Sequence, residues 1–316
     1  MLRRVILVGL VLALVGAGGL VASAWAPDRP VASLAARWAP PPSQFIEVEG
    51  LSMHVRDVGP RDDEAPIVLL HGTSASLHTW EGWVAVLSKT RRVVTVDLPG
   101  FGLTGAVRDD DVEVPRTLDI LHALFAKLGI TRCVLGGNSY GGQLAWSYAV
   151  AHPDEVTRLL LVDSAGYPRA AKSVPLGFRL AAMPGINVLM EKLLPRGVVE
   201  QSVRNVYGDP SKVTPALVDR YFELTLREGN RHAVGLRMKH FGVPPDSAPL
   251  KMLQVPTLIL WGAKDQLIPL ELGRRFAADI AGSRLVVFEN LGHVPQEEDP
   301  AATVAEVQRW LAKDEP

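Results

Sequence analysis

Cysteine is almost missing from this chain: Cys133 is the only one in 316 residues. No intramolecular disulfide can form, and no cysteine-rich metal cluster can be built. A strong charge of either sign is missing too. Lys and Arg number 33 against 34 Asp and Glu, a net charge of −1. With no long basic run, the chain lacks the electrostatic footprint of a nucleic-acid binder. No internal repeat is present, which excludes solenoid architectures. What remains is a chain that is 47% hydrophobic, long enough for one large domain carrying an insertion around a sizeable core. Cys133, inside the apolar run "RCVLGG", reads as a core residue rather than a reactive thiol.

Charge is also missing from one long stretch, between Arg4 and Asp28. The apolar run Val5 to Ala22 approaches the roughly 17–25 residues that cross a bilayer as a helix. Ala22-Ser23-Ala24 fits the small-x-small pattern of a signal-peptide cleavage site, yet the run exceeds the usual apolar stretch of about 7–15 residues in a signal. The expectation is an uncleaved anchor over residues 1–24, with a cleaved signal as the alternative. Arg3 and Arg4 would stay cytoplasmic and place the rest of the chain on the extracytoplasmic side. Residues 25–44, rich in Pro and Ala and without a clear period, read as a linker, with Arg37 and Trp38 suited to a membrane surface or to a plain tether.

From Phe45 the pattern changes. "FIEVEG" and "LSMHVRDVG" alternate apolar and polar residues about Gly50, as the strands of a hairpin do; His54 is expected on the exposed face. "PIVLLHG", "RRVVTVDLPGFG", "RCVLGGNS", "VTRLLLVDS" and "VPTLILWG" are short continuous apolar runs, the form of strands buried on both faces. Amphipathic helical stretches separate them, such as "RTLDILHALFAKLGI", ended by Gly129. Strand and helix in alternation predict a mostly parallel sheet with helices on both faces. The rhythm breaks between Ala165 and Ser247, where helical stretches such as "TPALVDRYFELTLREGN" replace strands. The expected organisation is a core over 45–165 and 248–316 with a helical insertion over 166–247.

The chemistry centres on "GGNSYGGQLAW". Gly137-Asn138-Ser139-Tyr140-Gly141 fits G-x-S-x-G between a strand and a helix, the context of a nucleophile elbow. A sharp turn that exposes a serine hydroxyl forces its neighbours to be small, and the following helix aims its N–H groups at the site. Serine is a poor nucleophile without a base. Of eight histidines, His78, His122 and His152 fall in helical stretches and His232 and His240 in the insertion. His293, in "FENLGHVPQEEDP", lies in a loop after a late strand, where such sheets place catalytic groups. Two acids compete to orient it: Asp265, after the strand "LILWG", and Asp163, ending "LLLVD". One oxyanion donor would be the Tyr140 N–H, after the nucleophile, and the other the Thr73 N–H, with Ser74 next, in "LLHGTSASLHTW". His71 reads as a structural hydrogen-bonding residue.

"HGTS", "VDLPGFGLTG", "GGNSYGG", "LWGAKDQLIP" and "LGHVPQEEDP", in this order from about Phe45 to the C-terminus, resemble the α/β-hydrolase superfamily. The resemblance implies an eight-stranded sheet with a helical lid, a triad of Ser139, Asp265 and His293, and a structural turn role for Asp97. It favours Asp265 over Asp163. Serine at the nucleophile position departs from the epoxide hydrolases and haloalkane dehalogenases, which use aspartate there. "GNSYGG" is similar to the meta-cleavage C–C hydrolases, but those usually carry tryptophan after the catalytic histidine, where this chain has Val294. The expected activity is hydrolysis of a small lipophilic carboxylic ester without metal or cofactor; C–C hydrolysis, perhydrolase or acyl-transfer chemistry, and a non-catalytic binder on the same fold are the alternatives. The apolar stretch holding Leu176, Phe178, Leu180, Met183, Ile186, Leu189 and Met190 either lines a greasy pocket or packs the lid onto the core. Oligomeric state is not encoded in any motif.

Overall fold

The computed structural model describes residues 19, 21–107, 109–168, 171–183, 185–239 and 245–312. The alternating and continuous apolar runs become β1 (Ser43–Val48), β2 (Leu51–Val58), β3 (Ile67–Leu70), β4 (Val93–Val96), β5 (Cys133–Asn138), β6 (Val156–Val162), β7 (Thr257–Gly262) and β8 (Arg284–Phe288). They form one sheet in the order β1-β2-β4-β3-β5-β6-β7-β8. β1 and β2 pair antiparallel through a turn at Glu49-Gly50, both with positive φ, and β2 meets β4 antiparallel. Every later pairing is parallel, as crossover helices require.

The two-residue period of a strand sorts the core into two layers. Ile67 and Leu69 face one side with Leu160, Leu258 and Leu260, against Trp83 of α2 (Glu81–Leu87) and Val304, Val307 and Trp310 of α12 (Pro300–Leu311). Val68 and Leu70 face the other side with Leu135, Leu159 and Leu161. There they meet Ile120, Leu121 and Leu124 of α3 (Val114–Lys127), Leu144 of α4 (Tyr140–Ala151) and Phe276 of α10 (Leu270–Asp279). Cys133 lies in this second layer, and burial pushes its thiol up to about 12, which keeps it protonated and inert near neutrality.

Between β6 and β7 come α5 (Leu176–Ala181), α6 (Ile186–Met190), α7 (Arg196–Val206), α8 (Pro215–Thr225) and α9 (Asn230–Met238). They share a small core of Leu194, Val199, Val203, Tyr207, Val218 and Leu226 that reaches Val294 of the sheet domain. This is the helical insertion, and it roofs the C-terminal ends of the strands.

Two local readings of the sequence are corrected. The stretch taken as a periodless linker contains α1 (Val31–Trp38), a helix held from outside: Leu34 is buried, while Arg37 and the Trp38 indole both donate to Glu223 of α8 at 2.7 Å. Upstream of it the backbone is strapped onto the insertion, with the Ala26 N–H donating to Lys192 O, the Arg29 N–H to Leu226 O, and the Leu194 N–H to Ala24 O. Tertiary contacts supply what local pattern lacks. His54, expected to be exposed, is fully buried between Asp97 and Ser43. The antiparallel hairpin is covered on both faces at that point. The anchor expected over residues 1–24 lies mostly outside the described residues, as does His240. Among the described residues no helix is long and apolar enough to cross a membrane.

Candidate active site

β5 hands the chain to α4 through Ser139, which sits at φ 56° and ψ −117°. A non-glycine residue in this region is strained, and such strain persists only where surrounding structure enforces it. Here the Ser139 N–H donates to Val162 O at 3.0 Å, and its carbonyl accepts from the N–H groups of Gln143 and Ala165. The flanking glycines answer to close approach. A Cβ on Gly137 would lie 2.1 Å from Gly141 O, and one on Gly141 2.2 Å from Leu70 O. Asn138 adds a brace that sequence reasoning left unexplained: its Nδ2 donates to Val162 O at 3.1 Å and to His293 O at 2.9 Å, tying the elbow to the histidine loop.

His293 arrives from the loop after β8 and is buried. Its Nδ1 lies 2.7 Å from Asp265 Oδ2, while Asp265 Oδ1 accepts the N–H groups of Leu267 and Ile268 at 2.8 and 2.9 Å. With Nδ1 turned to the carboxylate, Nε2 is the ring nitrogen left for proton transfer. Ser139 and His293 line the same cavity, together with Thr73, Asn138 and Val294. Asp163 also reaches this centre: one of its oxygens, one of Asp265 and a ring nitrogen of His293 lie within 4.8 Å of one another. Asp265, however, is the acid that meets His293 at hydrogen-bond distance.

Of the two donors expected around an oxyanion, Tyr140 follows the serine directly and Thr73 lines the same cavities as the serine. Tyr140 begins α4, so its N–H has no partner within the helix, and among the described residues neither it nor the Thr73 N–H donates to another group. The Tyr140 ring packs beneath Arg237 of α9, whose guanidinium donates to its hydroxyl and, at 2.8 Å, to Val112 O. His71 is structural, as expected. Its Nε2 accepts the Leu98 N–H at 2.9 Å, Nδ1 lies 2.7 Å from Gly72 O, and burial lowers its pKa, so both nitrogens of a neutral ring are engaged. His78 is likewise brought down to about 4, chiefly by burial.

Asp97 is the anchor of the neighbouring loop. Its carboxylate accepts the N–H groups of Leu77 and Leu103 at 2.7 Å and faces His54 Nδ1 at 2.7 Å. Burial alone would raise its pKa, but the charge of the His54 ring and the hydrogen bond to that ring outweigh burial and hold it well below the usual carboxylate range. Glu298 is a residue that sequence reasoning missed. It accepts the N–H groups of Gly208 and Asp209 from the insertion and of Gly292 from the histidine loop, at 2.8–2.9 Å. Nothing in "QEEDP" distinguishes it from a solvated acid; only the fold brings three donors to it.

Two cavities meet at Ser139. One, of about 130 Å³, runs under the insertion between Phe178, Met190, Leu194, Val199 and Val203. The other, of about 580 Å³, opens past Tyr140, Gln143, Trp146, Arg237 and Asp246; Thr73, Ser139, Phe178 and Leu267 border both. Within the apolar stretch of the insertion, Phe178 and Met190 pack against the buried clusters. Both also line the first cavity, while Met183 and Leu189 are about half exposed. A cluster elsewhere, His122, His152 and Glu155, has metal-ligand residue types. Its two rings are stacked 4.5 Å apart at 9°, so their in-plane lone pairs run parallel rather than converging on one ion at the roughly 2.0–2.1 Å of a zinc–nitrogen bond.

A family model described as the alpha/beta hydrolase fold matches residues 65–300. The 2-hydroxymuconate semialdehyde hydrolase of Pseudomonas sp. (strain CF600) is 29% identical over 260 residues, covering 78% of this chain and 87% of that protein. Among solved structures, a meta-cleavage product hydrolase from Pseudomonas fluorescens IP01 superposes with a TM-score of 0.74 at 23% identity, over 86% of this chain and 98% of that one. A membrane phospholipase A superposes with a TM-score of 0.73 at 24% identity, over 98% of both chains. The last two likenesses concern the fold alone.

Proposed function

This chain belongs to the α/β-hydrolase family, and on that footing we propose that it is a serine hydrolase of lipophilic carboxylic esters. The observation that carries the reading is the position of Ser139: on a strained elbow, in a cavity wall shared with the Asp265-bonded His293, where an apolar cavity meets a wider and more polar one. A linear ester spans that junction with its acyl chain under the insertion and its alcohol portion toward Gln143 and Arg237. The Ser139 hydroxyl attacks the carbonyl carbon as His293 Nε2 takes its proton, and Asp265 steadies the imidazolium. The N–H groups of Thr73 and Tyr140 receive the oxyanion. His293 returns the proton to the leaving alcohol, and water, activated by the same ring, cleaves the acyl-enzyme.

C–C hydrolysis is the second reading, favoured by the similarity to the 2-hydroxymuconate semialdehyde hydrolase; Val294 speaks against it. The test is Ser139→Ala against wild type on a p-nitrophenyl ester series and on a meta-cleavage product, with fluorophosphonate labelling in parallel. Ester turnover abolished by the substitution and labelling confined to wild type are expected. Turnover that survives Ser139→Ala refutes the mechanism, preference for the meta-cleavage product transfers it to the second reading, and an unlabelled wild type favours a binder. The reading extends to place: an N-terminal anchor with the hydrolase domain extracytoplasmic, supported by the uncharged run after Arg3 and Arg4. Membrane fractionation combined with sequencing of the mature N-terminus separates the anchored from the secreted form.

A further inference from the structure

Asp163 directly follows β6 and has no part in the reaction just described. It adopts φ 41°, in the left-handed region, and is fully buried. Its Oδ1 accepts the Gly262 N–H at 3.0 Å, while Oδ2 has no donor among the described residues. Beside it, Asp265 already uses Oδ1 for two backbone N–H groups and Oδ2 for His293. Asp265 and His293 face Asp163 at close range, and the charge of Glu298 from α11 (Pro295–Glu298) also reaches it. Two ionised carboxylates confined here would repel with only one imidazole to separate them. Burial, then the charge of Asp265, pushes the Asp163 carboxyl well above the ordinary range. A proton on Oδ2 removes the repulsion and turns the orphan oxygen into a donor.

We infer that Asp163 is a positioning residue of the catalytic centre: a neutral carboxyl that donates its Oδ2–H to Asp265 and so fixes the carboxylate behind His293. A neutral donor steadies Asp265 without cancelling the charge that stabilises the imidazolium. Two backbone bonds keep that donor in place, the Asp163 N–H to Leu260 O and the Gly262 N–H to Oδ1, both at 3.0 Å.

The inference rests on the serine-hydrolase reading, and the experiment separates the two. In the full chain near neutral pH, infrared difference spectroscopy of wild type against Asp163→Asn is expected to show the carbonyl stretch of a protonated carboxyl, lost in the variant. Its absence overturns the inference whatever the activity. In parallel, the rate of fluorophosphonate labelling of Ser139 is followed against pH. Asp163→Asn, whose amide keeps a donor at the same place, is expected to stay within about threefold of wild type with an unmoved acid limb, whereas Asp163→Ala slows labelling by about tenfold or more. A fall of the acid limb by about one pH unit in Asp163→Asn would mean that a negative charge had been removed beside His293, and refutes a neutral Asp163. An Asp163→Ala variant as fast as wild type refutes the positioning role. A wild type that is never labelled counts against the serine hydrolase, and the infrared band still decides the state of Asp163.

Discussion

Removing the carboxylate of Glu298 tests whether the insertion and the histidine loop are mechanically one piece. Glu298 is buried and holds three backbone N–H groups, two from the segment after α7 and one from Gly292. The His293 N–H, one residue on, donates to Val206 O at 2.7 Å at the end of α7. In Glu298→Ala, the Gly292 N–H is left buried, at a cost of about 1–3 kcal/mol. Gly208 and Asp209 are only half-buried, so water replaces part of what they lose, about 0.5–1 kcal/mol each. The sum is a destabilisation of about 3 kcal/mol, with Glu298→Gln near half of that because one acceptor oxygen remains. Urea unfolding at unchanged m-value measures it. Displacing the Gly292 backbone also moves His293, and a misplacement approaching 1 Å costs on the order of a hundredfold in rate; kcat/KM on a p-nitrophenyl ester is therefore expected to fall at least tenfold. Asp299→Ala is the control. It removes the N-cap of α12, where Asp299 accepts the Ala302 N–H at 3.0 Å, and should cost about 1 kcal/mol with activity intact. If Glu298→Ala loses stability like the control and keeps full activity, the coupling is wrong; if it loses less than about 0.5 kcal/mol, the bonding account is wrong as well.

Three further outcomes follow from the same geometry. Gly137→Ala puts a methyl 2.1 Å from a backbone oxygen, so a loss of more than about 3 kcal/mol or failure to fold is expected, and a soluble variant with wild-type melting refutes the elbow packing. Asp97 has a depressed folded pKa, so its contribution to stability is complete above the unfolded carboxylate value of about 3.9 and drains away as pH falls toward the folded value; Asp97→Asn should be less stable near neutrality and flatten the acid side of the stability profile, as measured by urea midpoints across pH. Val294→Trp introduces a large ring into the wall of the apolar cavity beside His293, and the ester profile should move toward shorter acyl chains; an unchanged profile excludes that cavity as the acyl site.

Which elements the sequence could specify follows from how local their determinants are. The buried strands were legible because "IVLL" and "TLILWG" are buried on both faces and need no partner to be recognised. The elbow was legible because one of its tightest contacts, Gly137 against Gly141, lies within "GGNSYGG" itself, although Gly141 in turn answers to Leu70 O. Ser139, Asp265 and His293 were singled out by motif and order. Their meeting was not, since the 2.7 Å bond joins residues 28 apart in sequence across loops that only the parallel sheet brings to one edge. Tertiary structure alone decided the rest. It buried His54 by stacking the hairpin against the Asp97 loop, and turned a proline-rich tether into a strap and a helix held by Glu223. It also gathered three N–H donors around Glu298 and set Asp163 beside Asp265. Apart from Gly292, six residues before Glu298, each of these partners lies far along the chain, and a buried polar group's identity comes from its partner rather than from its neighbours in sequence.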